Sequence, residues 1–236
     1  MYAKVIYIQV GRVEPPWDLW GRIFQWLGPA PSVLGRQGPA PSVLGRQGPA
    51  PSVLGRQAPA PSVLGRQGPP PNGQRWRLFW FPAPNKRVMP TEGEVGPAHL
   101  NGGYTFPCKS DCIVVYRHEE ATRVLLHEIL HAACLDPPAD LPLKEATTET
   151  WAELYLVALC SGGSLKKAAE LWAIQSQWIS NQNSKLKIHY GIEGPEHYAW
   201  RYTVGRELIL RSLKIELPEP KASRSRSLRL TSPDLL

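Results

Sequence analysis

One pentapeptide in this chain has the residue types and spacing to hold and use a metal ion: His127-Glu128-Ile129-Leu130-His131. Histidines four apart project from the same face of a helix, so both imidazoles reach one ion, and the carboxylate between them is placed to take a proton from water on that ion. HExxH is a short pattern, and on a solvated helix it would sit among Lys, Arg and Gln. Here the flanks are Val124-Leu125-Leu126 and Ala132-Ala133-Cys134. The triplet is therefore predicted to be buried, where ionisable groups without partners are costly. A bound zinc ion accounts for that burial better than a self-satisfied core cluster.

A catalytic zinc takes three protein ligands and keeps one position open. The next predicted helix supplies carboxylates: Glu145, Glu149 and Glu153 recur every four residues in KEATTETWAEL and so share one face. With these residues the chain resembles the gluzincin group of zinc metallopeptidases. In that group HExxH is followed by a helix carrying E-x-x-x-D/E, whose first carboxylate is the third ligand and whose second supports a ligand histidine.

Two registers fit, Glu149 with Glu153 or Glu145 with Glu149. The resemblance favours Glu149 as ligand and Glu153 behind it, because ETWAE is similar to the ExxAD-type segments of such families and seventeen residues separate His131 from Glu149. Glu145 is then expected on an exposed helix face beside lysines. The implied reaction is hydrolysis of a peptide or protein substrate. Zinc lowers the pKa of its water, and Glu128 accepts the proton and returns it to the leaving amine. The resemblance also implies a downstream donor for the oxyanion; EHYAWRYTVG offers His197, Tyr198 and Tyr202, of which Tyr198 is expected.

The resemblance spans about Val88 to Leu213 and is specific at HExxH and the glutamate helix. It implies a mixed sheet ahead of the metal helix, with an edge strand that pairs with substrate backbone; HLNGGYTF and CIVVYR occupy the corresponding places. The run from Asn101 to Asp136 also resembles metallopeptidases encoded by large DNA viruses. The metzincin pattern fails, since AACLDPPAD follows His131 where a third histidine would be needed.

The elements that must position these residues read as an α+β fold, a small, partly interrupted β-sheet followed by a helical region. Tyr2 to Val10 alternates as a strand does, Trp17 to Leu27 has helical character, and Arg75 to Phe81 and Cys112 to Tyr116 read as strands. Helices are predicted from Glu119 to Cys134, Leu143 to Cys160, Ser164 to Ser180 with Ser164 as N-cap, and Glu196 to Leu213. If the strands before and after the repeats pair, the catalytic domain straddles them.

Those repeats are the decapeptide GPAPSVLGRQ at Gly28, Gly38 and Gly48, returning as APAPSVLGRQ at Ala58. Each copy has only Val and Leu to bury, too little to offset the ordering entropy of ten residues. The expected organisation is an N-terminal strand and start of the core over 1–21, a disordered Pro/Gly-rich insertion over 22–73, a catalytic domain over 74–217 and a disordered basic tail over 218–236.

The net charge of +7 points toward nucleic acid until it is placed. The four repeat arginines carry +4 and the tail from Glu219 carries +2, leaving about +1 for the remainder, so no strong nucleic-acid signal is present. Neither a signal peptide nor a membrane-length apolar run is evident, and the four cysteines read as reduced thiols of an intracellular protein. Cys108-x-x-x-Cys112 lacks a second ligand pair for a structural zinc, and Cys134 and Cys160 read as small core residues. Two other functions fit the same residues: a zinc that only clamps two helices, and an interaction protein that presents its Pro-rich repeats to a partner.

Overall fold

The computed structural model describes residues 3–7, 13–28 and 75–235. The decapeptide repeats lie outside these residues apart from Gly28. The fold is α+β, as expected, with a small mixed sheet packed against helices.

Four strands, β1 (Ala3–Tyr7), β2 (Trp76–Ala83), β3 (Gly103–Thr105) and β4 (Ile113–Arg117), lie in the order β1-β2-β4-β3. β1 pairs parallel with β2 and β2 parallel with β4, whereas β3 runs antiparallel at the edge. The two strands that flank the repeats are therefore neighbours. A parallel pair needs a crossover, and α1 (Trp17–Leu27) lies in that connection. The α1 residue Trp20 stacks edge-to-face on Trp80 of β2 with centroids 5.3 Å apart, and donates its indole N–H to Thr122 Oγ1 at 3.1 Å. Ile23 and Phe24 are also buried, so α1 packs on the core through residues 22–27. The boundary expected at 21/22 moves past them.

After the short helix α2 (Pro97–Leu100) come α3 (Ala121–Ala132) and α4 (Leu141–Ser161), an antiparallel pair joined by eight residues. Every residue of α3 is buried, which follows from a sequence with apolar side chains on most sides. Asp140 caps α4 by accepting the Leu143 N–H, and Gly162 ends it in the left-handed region at φ 60°. α5 (Leu165–Tyr190) begins at the predicted cap, Ser164, but runs ten residues beyond Ser180, to the left-handed Gly191. The single helix expected from Glu196 to Leu213 is instead a 3-10 turn over Tyr198–Tyr202 and α6 (Gly205–Ser212), broken at Thr203, whose φ and ψ of −130° and −90° are not helical. No helix among the described residues is long and apolar enough to cross a membrane.

Two expectations are corrected. The end of the tail is packed, with Leu228, Leu230, Thr231, Ser232 and Leu235 buried, while residues 218–226 are exposed. Its Leu228 and Leu230 are buried on either side of the half-buried Arg229, whereas Arg224 and Arg226 before them are exposed. Side chains of α5 meet its backbone: Gln175 donates to Leu230 O at 2.9 Å and accepts from Ser232 N at 2.8 Å. The basic residues around it mask this short buried stretch in the sequence.

The second correction concerns the cysteines. Cys108 and Cys134 form a disulfide, their Cα atoms 4.6 Å apart, while Cys112 and Cys160 are free. The bridge ties the β3–β4 loop to the end of α3, beside the hydrogen bond from Cys108 N to His131 O at 2.9 Å. Cys108→Ser is expected to cost about 3 kcal/mol through the lost constraint on the unfolded chain. A lower urea midpoint, reproduced in the wild type by a thiol reductant, checks this.

Candidate metal centre

The site lies on the seam between α3 and α4, where two rows of residues at four-residue spacing face each other. α3 contributes Arg123, His127 and His131, and α4 contributes Glu145, Glu149 and Glu153. Because the helices are antiparallel and closely connected, the last basic residue of α3 meets the first glutamate of α4. His131 Nε2 lies 3.6 Å from Glu145 Oε2 and His127 Nε2 lies 3.3 Å from the same oxygen. At the far end Arg123 holds both Glu149 and Glu153, the latter at 3.1 Å.

The carboxylate that meets both histidines is not the one expected. One donor atom each from His127, His131 and Glu145 falls within 4.8 Å of the others. Glu149, expected as the third ligand, is drawn behind the histidines by Arg123, with Oε1 3.4 Å from His127 Nδ1. Glu153, expected just behind the ligands, is a turn farther away, between Arg123 and Arg206. Glu145 is no exposed residue, for its side chain is 14% accessible and points between the imidazoles.

This donor set could hold a metal cation: two imidazole nitrogens and a carboxylate oxygen, with Nε2 to Nε2 at 3.0 Å. Each of these histidines also has a carboxylate at its other nitrogen, an arrangement that fixes ring orientation at metal sites. For His131 it is Asp136, 2.5 Å from Nδ1 and itself 3.3 Å from the Thr148 hydroxyl. For His127 it is Glu149, although Nδ1 is buried without a completed hydrogen bond.

Electrostatics follow from burial. Desolvation opposes charge on His131, but Asp136 and Glu145 outweigh it and hold the ring's pKa up to about 10. The same histidines overcome the burial of Glu145 and keep its carboxyl well below the usual range. Glu149 is likewise held down against burial by Arg123 and His127. Glu128 lacks such a partner; burial dominates and pushes it up to about 7, with the histidines pulling the other way.

Glu128 borders a cleft of about 190 Å³ with His127, His131, Glu145 and Tyr202. Its other wall is β3, pressed against α3: a Cβ on Gly103 would lie 2.7 Å from Val124 Cγ1 and 3.2 Å from Glu128 Cγ. Glycine is required there by space. Gly102 O accepts the Tyr116 N–H at 2.8 Å, so alternation in the antiparallel ladder turns the N–H and C=O of Gly103 and Thr105 to the sheet's open edge.

Of the expected oxyanion donors, the structure brings Tyr202 to the cleft, its ring centroid 6.4 Å from that of His127. Tyr198 stands one step back, donating to Asn101 Oδ1 at 2.6 Å, with 3.4 Å between the two hydroxyls. Burial, then Glu145, raises the Tyr202 pKa, so its hydroxyl keeps its proton and can donate it in a hydrogen bond. His197 forms no part of the cleft.

Asp136, Arg123 and Arg206 were missed from sequence. Asp136 stands before two prolines just past α3, a setting that gives no sign of a histidine partner. Arg123 did carry a signal, because an arginine one turn before His127 on a wholly apolar helix must find carboxylates. A scan of protein-family models matches none to this chain, and comparisons with curated proteins and with solved structures give no match.

Proposed function

We propose that the protein is a zinc-dependent peptidase. The observation that carries the reading is the convergence of His127, His131 and Glu145 on one point, beside a buried general-base candidate and an open strand edge. Zinc held by these three side chains would polarise a substrate carbonyl and activate water. Glu128, buried between the two histidines in sequence and bordering the same cleft, would take the proton from that water and pass it to the leaving nitrogen. The Tyr202 hydroxyl donates to the oxygen on which negative charge develops. The free backbone groups of Gly103 and Thr105 hold an extended peptide alongside the cleft. Asp136 and Glu149 orient the two histidines.

The reading is tested by metal analysis beside hydrolysis of a peptide library. One equivalent of zinc in the wild type, with cleavage that a chelator stops and zinc restores, is the expected result. Glu145→Ala should lose the metal. Glu149→Ala should weaken binding by roughly 10–100-fold, the usual effect of removing a group that orients a ligand. Stoichiometric zinc with no hydrolysis would favour the helix-clamping role, and a folded protein without zinc would reject both.

Tyr202→Phe should lower kcat by roughly 10²-fold with zinc retained. Tyr198→Phe, which removes only a neighbour of that hydroxyl, should cost less than tenfold; the two kcat values measured side by side provide the check.

A further inference from the structure

β3, which lines the cleft through Gly103, Tyr104 and Thr105, carries with the residue after it two aromatic rings that the packing of the fold leaves in solvent. Tyr104 of β3 is 51% exposed and Phe106, just beyond the strand, is 57% exposed. The rings meet edge-to-face with centroids 6.4 Å apart. Residues on a strand alternate faces. Because Gly103 is turned toward α3 and Glu128, Tyr104 leaves on the opposite face, while its backbone still borders the cleft.

The charges at the cleft narrow the choice of ligand. Arg87 is committed to Leu100 O and Glu120, and Arg123 to Glu149 and Glu153. Neither is free to receive an acidic side chain. His127 and His131 are likewise taken up by Glu145, Glu149 and Asp136, which leaves Glu128 as a carboxylate with no basic partner.

We propose that Tyr104 and Phe106 form a selective rim, which favours extended peptides carrying a large apolar or aromatic side chain opposite Tyr104. This rests in part on the peptidase reading, since the peptide is placed along β3. In an antiparallel pair the residue facing Tyr104 presents its side chain on the same face as the Tyr104 ring. The open backbone groups of Gly103 and Thr105 flank Tyr104 and fix that register. Covering two exposed rings with a third removes apolar surface from water and adds edge or offset stacking.

The test uses full-length zinc-loaded Glu128→Gln protein, in which bound peptide is not consumed, and labelled hexapeptides that differ by Phe or Ala at each position in turn. Fluorescence anisotropy is expected to show roughly tenfold tighter binding for Phe at one position. Adding Tyr104→Ser with Phe106→Ser should bring the ratio near one, and Tyr104→Phe should preserve it. Zinc content and unfolding midpoint report whether the rim variant folds. If it does not, the wild-type cleavage profile decides, with a large apolar residue expected at one fixed position from the cut. A parent without the Phe preference, a rim variant that retains it, or a profile without that enrichment overturns the proposal. Ring-dependent selection in a protein that cleaves nothing would uphold the rim and defeat the peptidase reading. Cleavage indifferent to the rings would do the reverse.

Discussion

Glu128→Gln is expected to retain one equivalent of zinc while hydrolysis falls by roughly 10²–10⁴-fold, the usual contribution of a positioned general base. The substitution keeps the shape of a buried side chain that pairs with neither arginine of the cleft. It removes only the ability to take and return a proton. Its effect should therefore appear in kcat more than in KM. Metal content by atomic emission and single-turnover kinetics in the same samples provide the check. An unchanged rate would take the proton-transfer role from Glu128, and loss of zinc would instead show that its carboxylate helps hold the ion.

The part of this site that was legible in the sequence is the part fixed by period. HExxH inside an apolar helix placed His127, Glu128 and His131 on a buried face, and four-residue spacing put Glu145, Glu149 and Glu153 on one face of the next helix. Which glutamate meets which histidine is a matter of register between helices. The similarity of ETWAE to a family segment pointed to Glu149. The physical argument was available in the chain itself: helices joined by a short loop run antiparallel, so the end of one meets the start of the next. His131 then falls to Glu145, and Arg123, a turn before His127, falls to Glu149 and Glu153.

The remaining corrections share a cause, which is that tertiary partners are invisible to local pattern. The Cys108–Cys134 bridge joins residues 26 apart through a loop with no periodicity. Their pairing removes the thiol argument for a reducing compartment. The ordered tail depends on Gln175, Trp178 and Gln182 of α5, whose side chains donate to its backbone. Tyr202 rather than Tyr198 enters the cleft because a 3-10 turn, not a continuous helix, sets the direction of both rings.

The second large effect is on stability. Arg123 is 1% exposed and is the ion-pair partner that Glu149 and Glu153 share. Burial alone would neutralise both glutamates. It succeeds in raising the pKa of Glu153, while Arg123 keeps that of Glu149 low. Arg123→Met is expected to destabilise the protein by about 3–5 kcal/mol, because it leaves two carboxylates buried against the remaining Arg206. Replacing Arg123 by Met together with Glu149→Leu removes most of that uncompensated charge, so much of the loss should return. Zinc affinity should not return with it, since His127 would still lack the carboxylate at its Nδ1. Urea unfolding of the metal-free proteins measures the first effect and zinc titration the second. Recovery of stability without recovery of affinity would separate the two tasks of Glu149, neutralising Arg123 and orienting His127. Recovery of both would assign the orientation of His127 to the packing of α3 alone.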